Sequence, residues 1–197
     1  MSGRLLSVQV GRPRGEGRHR TAIWKQPVEG RVAVRGVNIE GDDQADRTVH
    51  GGPDKAIYAY ASEDTAWWEE TLHAELGAGA FGENLWLEGV EVTEALIGER
   101  WAVGSTLLEV CQPRFPCFKL GLRFGNPRML KAFAVIRRPG AYLRILEEGE
   151  IGAGDGVEVV HRPDHDVTIA LVNEAVLHDH GLLARVREAP ELADGLR

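Results

Sequence analysis

Cysteine is scarce in this 197-residue chain, which contains only Cys111 and Cys117. Two thiols exclude a disulfide-stapled secreted scaffold and a cysteine-held iron–sulfur cluster. Their separation also fits none of the close-paired cysteine spacings of a structural zinc site. Long apolar runs are missing as well. Met1-Ser2-Gly3-Arg4-Leu5-Leu6 has no signal-peptide core, and no stretch approaches membrane-spanning length, so a soluble cytoplasmic protein without a membrane partner is expected. No Gly-rich dinucleotide fingerprint, internal repeat or low-complexity tract occurs. The net charge of −7 disfavours binding to a nucleic acid polymer.

The apolar content of 43% and charged content of 27% are those of an ordinary globular protein. A chain of this length buries roughly 70% of the surface its unfolded form exposes and needs no staple to fold. Charge is unevenly spread. Residues 110–146 hold no acid, yet carry Arg114, Lys119, Arg123, Arg128, Lys131, Arg137, Arg138 and Arg144. Such a block reads either as a local anion site or as solvated faces of unrelated elements, and alone it does not decide between them.

Short runs rich in Val, Ile, Leu and Tyr predict strands at 5–10, 31–34, 57–61, 106–112, 141–146 and 156–161. Without a repeated βα alternation they suggest a barrel or sandwich, a mostly β fold with a few helices. Ser62 reads as the cap of a helix ending at Gly77, with Trp68, Leu72 and Leu76 on one face. Asn126-Pro127 predicts a second start, with Met129, Leu130 and Phe133 as its stripe. Residues 162–166 look like a linker, and 169–177 and 182–187 like two helices. The chain therefore divides into a β domain at 1–161 and a short C-terminal helical extension at 162–197.

Three segments can carry chemistry. In 41–55, Gly51 and Gly52 let the backbone approach a ligand, Lys55 adds a point charge, and His50 is of the residue type whose unperturbed pKa of about 6.5 suits acid–base work. A Gly-rich turn with an incidental His explains the same residues. Asp42, Asp43 and Asp46 lack the closing Glu of a calcium loop. Phe81-Gly82-Glu83-Asn84-Leu85 is a polar turn running into an apolar strand, weak by itself. Gln112-Pro113-Arg114-Phe115-Pro116-Cys117-Phe118-Lys119 sets a cysteine just past a strand end, between two cations that favour its thiolate as nucleophile or soft-metal ligand. A cysteine hydrolase using Cys117 and His50 remains open, although no third orienting group stands out. Cys111, inside the strand pattern, reads as core.

In this order, Gly41-Asp42, Asp46, His50-Gly51-Gly52-Pro53-Asp54-Lys55, then Phe81-Gly82-Glu83-Asn84-Leu85, then Gln112-Pro113-Arg114, Pro116-Cys117 and Lys119-Leu120 resemble MOSC domains, with the YiiM-like bacterial subgroup nearest. Gly140-Ala141-Tyr142 and Gly154-Asp155 also fit, and the similarity runs over about residues 5–160. The resemblance implies a MOSC-type β-barrel that binds molybdenum cofactor, with Cys117 as the metal-ligating thiolate. It makes Arg114, Lys119 and Arg123, with Gly51, Gly52 and Lys55, contacts for the phosphate-bearing pterin. Asp46, His50 and Asn84 become the polar wall facing metal or substrate, with His50 as proton donor. The implied reaction is two-electron reduction of N-hydroxylated bases or similar small compounds, fed by a separate flavin or iron–sulfur protein. A non-catalytic carrier of the cofactor or of sulfur is the alternative. Proteins of the subgroup often end in three helices, whereas this tail shows two, with a third cut short near 190–196.

Overall fold

Seven strands close on one another in the computed structural model, which describes residues 2–45 and 51–197. In chain order the strands are β1 (Ser2–Val10), β2 (Arg14–Glu16), β3 (His19–Thr21), β4 (Gln26–Pro27), β5 (Arg31–Arg35), β6 (Asn38–Ile39), β7 (Ile57–Ala61), β8 (Leu85–Glu88), β9 (Arg100–Val103), β10 (Thr106–Pro113), β11 (Ala141–Glu147), β12 (Gly149–Gly152) and β13 (Gly156–His161). The staves run β1-β13-β9-β10-β11-β7-β8 and return to β1, because β1 pairs with both β13 and β8. Closure leaves the barrel no open sheet edge along these strands. β4 adds to β1, β12-β5-β6 forms a small second sheet, and β2–β3 is a separate hairpin.

The interior is filled by one large apolar residue or more from each stave, among them Leu5, Ile57, Leu85, Trp101, Leu108, Leu143 and Val157. Each contributes about 1.5–3 kcal/mol by leaving water. β7 shows why one strand can be apolar on both faces. Ile57, Ala59 and Ala61 enter the barrel core, while Tyr58 and Tyr60 point outward into a second cluster with Trp68, Phe81 and Phe133.

β7 and β8 are the one parallel pair among the staves, joined through α1 (Ser62–Leu72). Ser62 does not cap this helix. It is the first helical residue, Ala61 takes the cap position without a side-chain bond, and Ser62 Oγ faces Glu63 instead. The helix also stops short of Gly77. His73 adopts the left-handed end conformation at φ 51°, and Glu69 then accepts the N–H groups of Leu76 and Gly77. A helix at Phe118–Arg123, α2, lies where only a loop was expected; α3 is Met129–Ile136. Met129 and Phe133 are buried as the stripe predicts, but Leu130 is exposed.

The tail holds α4 (Ile169–Leu177), capped by Thr168 accepting from the Leu171 N–H at 3.0 Å, and a single turn, α5 (Leu183–Val186). The end near 190–196 has only a 3-10 turn. Val167, Ile169, Val172, Val186 and Leu192 belong to the barrel's own core cluster, so the tail buries its apolar stripe there. Backbone bonds Ile97 N–H to Val167 O (2.9 Å) and Ala193 N–H to Cys111 O (3.1 Å) fix it.

Asp54 ties three parts together. It accepts Arg144 Nε at 2.6 Å and the Asp194 N–H at 2.8 Å, while its carbonyl accepts Gln112 Nε2 at 2.8 Å. Burial alone would raise the carboxyl's pKa, but Arg144 and the Asp194 amide outweigh it and hold the value below the ordinary one. A folded value below the unfolded one means stabilisation that is complete above the unfolded pKa of about 3.9 and lost as pH falls through the lower folded value. Asp54→Asn is therefore expected to cost about 1–3 kcal/mol at neutral pH. The gap from the wild type should narrow below about pH 4, which urea midpoints across pH 2–7 would check; a gap independent of pH contradicts the assignment.

Candidate functional site

The clearest cleft lies outside the barrel wall, between β7, the end of β10, the start of β11 and the segment that follows the β2–β3 hairpin. It holds about 630 Å³ of empty space, its open mouth included. Register builds its floor: Tyr142 pairs directly with Tyr58 across β11–β7, and their rings lie 5.3 Å apart. Phe81 and Phe115 add further aromatic wall. The Tyr58 hydroxyl donates to Pro139 O at 2.9 Å. Burial raises both phenols above their ordinary pKa, opposed by the Arg114 charge, so both stay neutral at physiological pH.

Gly140 explains how two tyrosines fit. Its φ is +66°, and a Cβ there would stand 2.6 Å from Ala59 O and 2.8 Å from Tyr58 Cε2.

β10 ends at Pro113, and the next residues turn back over the cleft. Arg114 is only 6% exposed. Its guanidinium lies 5.1 Å from the Tyr58 ring centroid and 5.4 Å from that of Phe133, and its Nη1 is buried without a hydrogen-bond partner. An unmet charged donor of this kind is costly unless a ligand meets it. Cys117 follows, a free, half-buried cysteine at the cap position of α2, lining the cleft and sharing an electrostatic interaction with Arg114.

Glu83 is a fully buried carboxyl that interacts electrostatically with Arg114. It accepts N–H groups from Gly79 and, at 3.0 Å, from Phe81. Burial raises its carboxyl pKa, while those N–H groups and Arg114 oppose the rise. A buried ion pair joins Lys25 Nζ to Asp42 at 2.5 Å, with the Gly11 N–H and Asn84 Nδ2 also on that carboxylate at 2.7 and 2.9 Å. Burial lowers the Lys25 pKa despite Asp42. With both carboxylate oxygens so occupied, Asp42 belongs to the scaffold, and no cluster of three or more His, Cys, Asp and Glu among the described residues is placed to hold a metal ion by itself.

Of the residues nominated from sequence, Lys55, Asn84, Arg114, Cys117 and Lys119 line this one cleft. Asn84 does so with its amide already committed: Oδ1 accepts the Tyr58 N–H at 3.1 Å, and Nδ2 donates to Gln9 O and Asp42. Arg123 is half-buried and does not line the cleft; its Nε lacks a partner, and burial lowers its pKa. Gly51 and Gly52 do not line it either. Gly52, at φ 93°, starts a 3-10 turn that presents Lys55, and the Lys55 and Ala56 N–H groups close that turn. Those two amides are thus not free to bind an anion. Asp46 and His50 lie outside the described residues.

The basic block divides. Arg137 pairs with Glu174, Arg138 with Asp64, and Arg144 with Asp54 and Glu109, so these three belong to the scaffold. Arg128 and Lys131 are exposed. Arg114 and Lys119 remain at the cleft. Cys111 is fully buried, with its sulfur 3.2 and 3.3 Å from the Asp54 and Tyr142 carbonyls, and burial raises its pKa far above that of a reactive thiol. Sequence reasoning quoted Glu83 and Tyr142 without assigning them roles. It missed Tyr58 and Lys25, whose only signal was an aromatic or a charge in an otherwise ordinary run.

The MOSC domain family model matches residues 46–158. YflK of Bacillus subtilis is 36% identical over 179 residues, spanning 89% of this chain and 81% of that one. A Gibberella moniliformis protein named Reductase is 36% identical over 168 residues, 82% of this chain but only 30% of that protein. Among solved structures, YiiM from Geobacillus stearothermophilus is similar at TM-score 0.83 and 32% identity, over 99% of this chain and 95% of that one.

Proposed function

The chain belongs to the MOSC domain family, associated as a family with molybdenum cofactor, and from that membership we propose a cytoplasmic reductase of small N-hydroxylated compounds that holds this cofactor in the cleft. The observation carrying the proposal is the pairing of half-buried Cys117 with buried Arg114, whose Nη1 meets no acceptor among the described residues. The donor set suits the cofactor: a thiolate is a soft-metal ligand, and a guanidinium binds phosphate or pterin oxygens through charge-assisted bonds. Cys117 would hold the metal, and Arg114, Lys55 and Lys119 the anionic pterin, with Arg123 nearby.

When bound, the cofactor supplies the two-electron chemistry. The protein's share is binding, orientation and protons. Tyr58, Tyr142 and Phe115 give a planar heteroaromatic substrate stacking surfaces, which supports hydroxylamino bases as substrates. Asn84, with all its bonds to the scaffold, fixes the Tyr58 backbone and hence that wall. Reduction of R–NH–OH to R–NH2 and water consumes two electrons and two protons. His50 is proposed to carry one proton to the substrate, with electrons from a separate flavin or iron–sulfur protein.

The test is turnover of a panel of hydroxylamino purines and pyrimidines by cofactor-loaded protein with reduced methyl viologen. Amino products are expected in wild type and absent in cofactor-free protein. Bound cofactor with no product from any substrate contradicts the reductase and leaves a carrier.

A further inference from the structure

We propose that the β2–β3 hairpin and the exposed Phe118 beside it form the docking surface for an acidic electron-donor protein, a proposal that rests on the reductase reading. The protein as a whole is acidic, yet residues 12–20 carry Arg12, Arg14, Arg18 and Arg20 against the single acid Glu16. All four arginines are exposed, and none forms an ion pair among the described residues. Arg14 is held in place by stacking 4.3 Å over Trp24.

The patch has an apolar centre. Phe118 is 49% exposed, an unusual cost for a large aromatic, and its ring lies 4.8 Å from that of His19 on the hairpin. By register Arg14 shares the hairpin face of His19, Arg18 stands at the turn, and Arg20 lies on the other face, where with Arg12 it borders Asp42 and Asp43. An apolar centre flanked by Arg14 and Arg18 is the anatomy of a small protein interface, which suits a transient redox encounter. Position adds the functional link. Phe118 directly follows Cys117, and the hairpin runs into Thr21, Ala22 and Ile23, which line the cleft. Arg14 is close enough to Arg123 for their charges to repel, which carries the basic rim onto α2. A donor seated here would sit at the cleft's edge. Its acidic face would be steered by this local excess of arginine.

The test uses cofactor-loaded protein and R14E/R18E, with circular dichroism showing that the variant is folded. Two reductants are compared: an acidic flavodoxin, and reduced methyl viologen, a small cation that needs no docking. Flavodoxin-driven reduction is expected to slow about tenfold or more in the variant at low salt. The wild-type advantage should fade with added salt, while the viologen rate is unimpaired. Flavodoxin binding to cofactor-free protein, followed by NMR line broadening, should weaken in parallel.

An unchanged flavodoxin rate overturns the proposal, as does a wild type reduced by viologen but not by flavodoxin. A raised KM with both reductants would mean that the arginines read an anionic substrate, and also overturns it. Loaded wild type inactive with viologen sinks the reductase reading and this proposal together.

Discussion

Cys117→Ser protein, purified from a host that makes the cofactor, is expected to lose molybdenum by more than roughly tenfold relative to wild type. Losing even an outer-shell partner costs about 10–100-fold in metal affinity, and a hydroxyl is a far poorer soft-metal ligand than a thiolate. Folding should be unaffected, because Cys117 is half-buried and belongs to neither core cluster. The pterin should be retained better than the metal, since Arg114, Lys55 and Lys119 remain. Metal and pterin assays on one preparation separate the two. Full metal occupancy in the variant would show that Cys117 is not the ligand; Cys111, buried with its thiol against two carbonyls, cannot replace it.

Arg114→Leu carries the second large effect. Hydrogen bonds to charged groups contribute about 1.5–3 kcal/mol each, so removing the guanidinium is expected to weaken cofactor binding roughly 10–150-fold. Arg114→Lys should fall between, because it keeps the charge but loses the planar fork and the stacking on Tyr58 and Phe133. Titration of cofactor-free protein with isolated cofactor measures both, with circular dichroism showing that each variant is folded. Equal affinity in wild type and Arg114→Leu would mean that the orphaned Nη1 faces no ligand.

Much of the barrel was legible in sequence because its strands alternate with turn residues and carry β-branched or aromatic side chains. The predicted span 57–61 coincides with β7, and 156–161 with β13. β9 and β12 went unseen: Arg100 and two glycines dilute runs of four residues, and part of the pairing that holds them comes from β13 and β5, distant in sequence. α2 was missed because Phe118–Arg123 is short and contains Gly121. At the site, Cys117 and Arg114 were visible as a thiol just past two prolines and flanked by cations. The basic block was only partly informative, since the acids that neutralise Arg137, Arg138 and Arg144 lie 37, 74 and 90 residues away. No local pattern reports such pairings.

The central claim is that the cleft holds molybdenum cofactor through Cys117, and metal and pterin content of the wild-type protein tests it most directly. Near-stoichiometric molybdenum and pterin, after expression in a host that makes the cofactor, is the predicted result. Neither metal nor pterin, even after incubation with isolated cofactor, would contradict the account and leave Cys117 to metal-independent thiol chemistry.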